Sequence, residues 1–110
     1  MQYTIEFFSQ SVEDGILDLP ETLLARFFNL ADRMTTSGAN LGEPHTKAMG
    51  DGLFELRLKG AEGIARVFYC TLIGKRIVML HSFVKKTDKT PAKELTMAHK
   101  RMKECKDENL

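Results

Sequence analysis

The stretch from Leu53 to Pro91 decides the fold. It contains three apolar-rich runs, which read L-F-E-L-R-L-K (53–59), G-I-A-R-V-F-Y-C (63–70) and I-V-M-L-H-S-F-V-K-K-T-D-K-T-P (77–91). Short runs of this composition, separated by glycine-containing turns, are typical of antiparallel strands that follow one another in the chain. The sequence therefore predicts a three-stranded meander at the centre of the domain.

Basic side chains interrupt all three of these strand-like runs. Cations on neighbouring strands repel one another unless an anion lies across them. We therefore interpret one face of the predicted sheet as a phosphate-binding surface. The residues that suggest it are Arg57, Arg66, His81, Lys85 and Lys86.

Length and composition limit the class of protein. The 110 residues correspond to one domain spanning positions 1–110, and 43% hydrophobic with 28% charged residues is typical of a globular chain. We expect no secretory leader and no membrane span, because the apolar runs are too short. Cys70 and Cys105 show neither metal-ligand spacing nor a disulfide framework, so we expect a cytoplasmic protein.

The charges are distributed unevenly along the chain. Residues 1–52 contain 3 Lys/Arg and 8 Asp/Glu, a balance of 3 − 8 = −5, whereas residues 53–110 contain 13 and 7, a balance of 13 − 7 = +6. Such a dipolar chain suggests a polyanionic partner for its second half, although a solvated basic surface has the same composition.

The remaining segments predict helices around the sheet. Tyr3–Phe8 reads as an edge strand, and a short helix capped by Ser9 or Ser11 follows it. A second helix, with Asp18 as its start signal, carries an apolar stripe that ends near Met34. A loop of about a dozen residues leads to the meander. Thr90-Pro91 then opens a C-terminal helix. We predict an α+β fold: a twisted sheet of about four strands, antiparallel or with one mixed edge, packed on N-terminal helices.

Simple alternation assigns the strand side chains to two faces. In the first run, Leu56 and Leu58 lie on one face, and Glu55, Arg57 and Lys59 lie on the other. In the third run, alternation puts His81, Phe83 and Lys85 on the same side as Ile77 and Met79. The register between strands, and hence the neighbours of each cation, stays open at this point.

The titratable residues favour chemistry driven by cationic side chains. The three histidines, His45, His81 and His99, lack metal-ligand spacing, so we expect no metal and no cofactor. Cleavage of RNA by its own 2′ hydroxyl builds negative charge on the phosphate oxygens. Arginine stabilises that charge because its fork matches two oxygens. Phe83 or Tyr69 would be available to stack an unpaired base.

Several motifs resemble the RelE/ParE toxin superfamily, and more narrowly its phage-derived, HigB-like branch. They are L-F-E-L-R-L, G-I-A-R-V-F-Y and the distinctive L-H-S-F-V-K-K-T-D-K-T-P, followed by a basic helix. The resemblance implies a RelE-like fold and a toxin of a type II toxin–antitoxin system. It also implies a metal-independent endoribonuclease that cuts mRNA on the ribosome, with a cognate antitoxin, a small helix-turn-helix protein, as partner.

The resemblance also implies roles for individual residues. Arg57, Arg66 and Lys85 match catalytic or phosphate-binding cations, and the loop before the sheet offers His45 or Glu43 for proton transfer. We favour His45 because its ordinary pKa suits proton exchange near neutrality. The chain departs from the family where it has Glu55 in place of a cation, and it lacks a clear C-terminal tyrosine or histidine. The expected RNA contacts are Lys59, Tyr69, His81, Phe83, Lys86 and Lys89.

Two other functions remain open on sequence grounds. One is a gyrase-inhibiting toxin of the ParE type, which would use the same fold and perform no cleavage. The other is an RNA-binding module without catalysis. The pattern of cations favours the nuclease over both.

Overall fold

Five strands form one sheet, with helices on both faces, in a computed structural model that describes residues 2–86 and 89–108. The elements follow one another as β1 (Thr4–Phe7), α1 (Gln10–Leu17), α2 (Glu21–Ser37), β2 (Thr46–Gly50), β3 (Leu53–Gly60), β4 (Gly63–Leu72), β5 (Arg76–Lys85) and α3 (Ala92–Glu108). The predicted α+β class, with its N-terminal helices and C-terminal helix, is confirmed.

The strands lie in the order β1-β5-β4-β3-β2, so the predicted meander β3-β4-β5 forms the middle of the sheet. All neighbouring strands of the sheet pair in an antiparallel direction except β1 and β5, which are parallel. Arg76 Nε lies 2.7 Å from Glu6 Oε2 and joins these two strands through a charge-assisted hydrogen bond. The mixed edge is therefore the N-terminal strand, which the sequence placed at an edge.

β2 is a strand that the sequence pattern did not reveal. The sequence predicts a long loop here, because these five residues show no apolar alternation. Only Thr46 is buried, and its hydroxyl lies 3.1 Å from Asn40 Oδ1 and 3.0 Å from the backbone nitrogen of Gly42. The strand is held by its backbone pairing with β3 rather than by an apolar face, so propensity gave no signal for it.

The sheet buries both faces. The face toward α1 and α2 forms the larger core, with Phe27, Leu30 and Tyr69 among its members. The opposite face packs against α3 through Phe68 and Leu80. The expectation of one apolar face and one open cationic face therefore holds only for part of the second face. Helix α3 covers the rest.

A bulge in β5 corrects the predicted alternation. Phe68 pairs with His81, whereas the next residue, Tyr69, pairs with Met79, so Leu80 is the extra residue. An inserted residue reverses which face each later side chain takes. His81, Phe83 and Lys85 consequently share the face of Arg66, opposite to Met79, and the simple assignment of these three to the side of Ile77 and Met79 was wrong.

Helix α2 begins two residues later than its start signal suggested. Asp18 ends α1, while α2 begins at Glu21 after Pro20. A residue distant in sequence holds its first turn. The Thr22 nitrogen donates to the Glu62 carboxylate at 3.2 Å, and the Thr22 hydroxyl also makes a hydrogen bond to it. Glu62 lies in the β3–β4 turn, so this contact fastens the helix to the end of the sheet that carries the site below. At α1 the expected Ser9 cap is confirmed, 3.2 Å from the Val12 nitrogen.

Close approach at this junction makes Gly60 sensitive to substitution. A Cβ atom at Gly60 would overlap the Thr22 hydroxyl and come 3.2 Å from Leu23 Cδ2. We expect Gly60→Ala to lower the free energy of unfolding by about 1–3 kcal/mol. Gly15→Ala is the matched control, because its Cβ meets only Ser82 Oγ, at 3.5 Å, and alanine favours the helix by about 0.5–1 kcal/mol. Urea unfolding of both variants measures the contrast, and equal stabilities would contradict this packing.

Candidate nucleic-acid interface

The strand register arranges the candidate residues in rows across β3, β4 and β5. Paired residues of adjacent strands point to the same face, so each row shares one side of the sheet. From the part covered by α3 outward, the rows are Glu55–Phe68–His81, Arg57–Arg66–Phe83 and Lys59–Ile64–Lys85. We call the second and third of these rows together the cationic face.

A cleft of about 420 Å³ opens beside the free end of β3. β2 pairs with β3 only as far as Leu56, and the next residue, Arg57, donates its backbone N–H to the His45 carbonyl at 2.8 Å. The loop before β2 therefore forms one wall and the cationic face another. The residues that line the cleft are Arg26, Pro44, His45, Arg57, Lys59, Ile64 and Arg66.

Arg57 and Arg66 stand opposite each other across β3 and β4 and share one carboxylate. Their Nε atoms lie 3.2 Å and 3.4 Å from Oε1 of Glu55. Burial lowers the pKa of Arg66, the Glu55 charge opposes that effect, and the Arg57 charge adds to it. A guanidinium group is positively charged in proteins. Two fixed positive charges thus face the same cleft.

The hydrogen bonds of His45 define its protonation. Its Nδ1 atom lies 3.3 Å from Nη2 of Arg26. A guanidinium group can only donate, so Nδ1 accepts and the ring proton is assigned to Nε2. The pKa of His45 is lowered by partial burial and by the positive charges of Arg33 and Arg26. His45 is therefore neutral near pH 7 and carries a donor on Nε2.

This lowered pKa makes stability depend on pH. The unfolded chain binds a proton at His45 near the ordinary value of about 6.5, whereas the folded chain binds it only at lower pH. The stability that comes from a neutral His45 is complete above that value and is lost as pH falls through the folded pKa. We expect wild type to lose stability between pH 7.5 and 5.5, as measured by urea unfolding, and His45→Gln to lose less of it over the same range. Identical pH profiles would contradict this assignment.

The other candidate contacts fall into two groups. Lys59 is exposed in the cleft, and Lys85 is half-buried at the end of the outermost row. Phe83 packs against the Phe68 ring, with 5.8 Å between the ring centres, and it lines a second cleft of about 190 Å³ together with Lys86. Lys89 is exposed just before α3.

Two of the expected RNA contacts, Tyr69 and His81, make contacts within the protein instead. Tyr69 is fully buried on the opposite face, where its hydroxyl donates to the Ala39 carbonyl at 2.5 Å and its ring stacks on Phe54. Its expected role in stacking a base is therefore wrong, because no base can reach the ring. His81 lies beside α3, with Nε2 3.0 Å from Glu94 and Nδ1 3.4 Å from Arg101. These contacts fasten α3 to the sheet.

Sequence reasoning missed Arg26 and undervalued Glu55. Arg26 reaches the cleft from α2, a helix whose apolar stripe indicates only packing against the sheet. The available signal was charge: Arg26 and Arg33 are two of only three basic residues in positions 1–52 and lie two helical turns apart. Glu55 was noted only as a departure, yet its side chain is the anion that the two arginines share.

Within residues 2–86 and 89–108, no group of three or more His, Cys, Asp or Glu side chains is arranged to hold a metal ion. None of the helices in the same ranges is long and apolar enough to cross a bilayer.

Comparison with known proteins places the chain in a family. The family model described as "Phage derived protein Gp49-like (DUF891)" matches residues 14–103. The chain belongs to the Gp49-like family. This match confirms the phage-derived resemblance drawn from the motifs, and no curated protein is detectably similar to this Gp49-like chain.

A solved structure supports the fold of this Gp49-like protein. It is the archaeal RelE–RelB complex from Pyrococcus horikoshii OT3, with a TM-score of 0.55 and 21% sequence identity. The match covers 78% of this chain and 98% of the other. The predicted RelE-like fold is confirmed, and at this identity the likeness concerns the fold alone.

Proposed function

We propose that this Gp49-like protein is the toxin of a type II toxin–antitoxin pair and that it cuts mRNA on the ribosome. One observation carries the proposal: Arg57 and Arg66, on neighbouring strands, line the same cleft and are held by the same carboxylate. Two arginines at one open cleft suit a phosphodiester better than a neutral ligand. The RelE-like fold and the Gp49-like motifs support the same function.

The arginines would act on the scissile phosphate. Attack by the 2′ hydroxyl on phosphorus forms one P–O bond while the bond to the 5′ oxygen breaks, which leaves a cyclic phosphate and a free 5′ hydroxyl. Negative charge on the remaining phosphate oxygens rises in the transition state. Arg57 and Arg66 stabilise that state more than the ground state because their charges are already in place.

Proton transfer would involve the loop before β2. His45 is neutral and carries a proton on Nε2, which it can share in a hydrogen bond but cannot release near neutrality, so we assign it to bind a phosphate oxygen. The leaving 5′ oxygen takes its proton from water. Nδ1 of His45 is occupied by Arg26 and is not free to accept from the 2′ hydroxyl. Glu43, whose side chain is 71% exposed and 3.5 Å from Arg57, is the carboxylate placed to accept that proton. Lys85 adds positive charge at the end of the cationic face.

Neighbouring nucleotides would be bound outside the main cleft. Phe83 shares the row of the two arginines and has a half-exposed aromatic ring next to Lys86. A base stacked on Phe83 with its phosphate near Lys86 would continue a strand bound at Arg66. Base stacking on aromatic rings contributes about 1–3 kcal/mol per base.

The proposed partners are mRNA on the ribosome and a cognate antitoxin. The similar archaeal RelE was solved with RelB. By analogy, we propose that a small antitoxin, a helix-turn-helix protein by the family likeness, covers the cationic face of this chain with acidic residues, which would neutralise the positive charge there.

Mapping RNA 5′ ends after induction in cells tests the function. We expect new 5′ ends inside translated codons with wild type and none with Arg57→Ala produced at the same level. DNA damage signalling with intact transcripts would instead indicate a gyrase-inhibiting toxin. RNA binding without new ends would indicate a module without catalysis.

A further inference from the structure

Glu55 is a buried carboxylate behind the two arginines. The residue is 2% exposed and does not line the cleft. Oε1 faces Nε of both Arg57 and Arg66, and Oε2 accepts a hydrogen bond of 3.2 Å from the hydroxyl of Thr90. A buried carboxylate is costly unless it is paired, and here both of its oxygens are engaged.

The three charges depend on one another. Arg57 and Arg66 are direct cross-strand partners, an arrangement that is unfavourable for like charges. Glu55 offsets this repulsion and uses only their Nε atoms. Nη1 of Arg66 donates to the Ala65 carbonyl at 3.3 Å, and Nη1 of Arg57 lies 3.5 Å from Oε1 of Glu43. Nη2 of each arginine is therefore left for a ligand. Its contacts are unequal, because Arg57 Nε makes a hydrogen bond to Oε1, whereas Arg66 Nε lies close to it without hydrogen-bond geometry.

Thr90 connects this charge cluster to another part of the chain. It lies after the strand that carries Lys85 and two residues before Ala92, where α3 begins. Its hydroxyl donates to Oε2 of Glu55. Thr90, just before α3, and the arginine pair are therefore tied to the same carboxylate.

We propose that Glu55, anchored by Thr90, is a positioning residue that makes Arg57 and Arg66 bind one RNA phosphate as a unit. This inference rests on the proposed function and deepens it. With both arginines present, Glu55 divides its attraction between them and each keeps free donors for phosphate. When one arginine is removed, the whole carboxylate charge acts on the other, which then binds phosphate poorly. Each single loss should therefore cost nearly as much as both.

A double-mutant cycle measures this coupling without relying on cleavage. The probe is a fluorescent oligoribonucleotide with 2′-O-methyl groups throughout, which blocks attack by the 2′ hydroxyl, and anisotropy gives its affinity. With Glu55 present, the double variant Arg57→Ala/Arg66→Ala should bind at least about fivefold more tightly than the product of the single losses predicts. In the Glu55→Gln background the losses should multiply to within about twofold.

Further variants separate positioning from a structural role. Glu55→Asp keeps the charge and should retain part of the coupling, while Thr90→Val removes only the anchor and should reduce it. If Glu55→Gln does not fold, Thr90→Val carries the test, and unchanged coupling there overturns the proposal. Coupling that persists in Glu55→Gln, or losses that already multiply in wild type, also overturns it.

The outcome is separable from that of the proposed function. Coupled binding by a protein that cuts no mRNA would refute the nuclease and support the role of Glu55. Cleavage of mRNA, together with losses of affinity in the two arginine variants that simply multiply, would support the nuclease and refute the role of Glu55. A wild-type protein that does not bind the oligonucleotide refutes the positioning role directly.

Discussion

Arg66→Ala is expected to reduce the rate of mRNA cleavage on purified ribosomes by roughly 10²–10³-fold, the usual cost of removing one donor that stabilises transition-state charge. Arg66 is only 9% exposed, and its guanidinium lies against the Glu55 carboxylate and lines the cleft. Its replacement therefore removes one of two fixed charges at the phosphate. The decrease should appear at saturating mRNA, since the charge matters most in the transition state.

The variant also needs a control for folding, because Arg66 is more buried than a residue on an open sheet face would be. Glu55 retains Arg57 and Thr90 in Arg66→Ala, so the melting temperature should fall only modestly. Lys103→Ala is a matched loss of positive charge at a side chain that is 80% exposed on α3, and it should cut at the wild-type rate. Equal activity of Arg66→Ala and Lys103→Ala would exclude Arg66 from the site.

Tyr69→Ala is expected to lower the free energy of unfolding by about 3–5 kcal/mol, as for other large aromatic side chains removed from a core. The Tyr69 ring is fully buried against Phe54, and its hydroxyl makes a hydrogen bond to Ala39. Burial also raises the pKa of this phenol well above its usual value, so the hydroxyl stays protonated. Urea unfolding measures the loss.

Phe83→Ala provides the contrast that separates core from interface. Phe83 is half-exposed beside the second cleft, so its truncation should weaken binding of the 2′-O-methyl oligonucleotide more than it lowers stability. Ile73→Ala, at a residue 95% exposed in the β4–β5 turn, should change neither property. If Tyr69→Ala remained as stable as Ile73→Ala while losing RNA affinity, the buried placement of Tyr69 would be wrong.

The meander was predictable because its signals are local. Glycines at positions 63 and 74 mark the turns, and apolar residues recur within each run, so strand identity and order follow from the chain itself. The basic residues on these strands were visible in the same way. That is why Arg57, Arg66 and Lys59 were identified before their surroundings were known.

The rest depended on contacts between distant segments. The bulge at Leu80 changes the face of Phe83, and no local pattern distinguishes a bulged strand from a regular one. Alternation assigns Tyr69 to a face, but only the position of α2 and of the loop at Ala39 shows that this face is closed. Arg26 reaches His45 across 19 positions of the sequence, a contact that helical periodicity does not predict.

The most direct test is a crystal structure with a short 2′-O-methyl oligoribonucleotide bound. We predict that one phosphate lies between Arg57 and Arg66, within hydrogen-bond distance of both guanidinium groups, roughly 2.7–3.2 Å, with His45 Nε2 directed at the same group. A phosphate held only by exposed lysines of α3, with neither arginine in contact with it, would contradict the account.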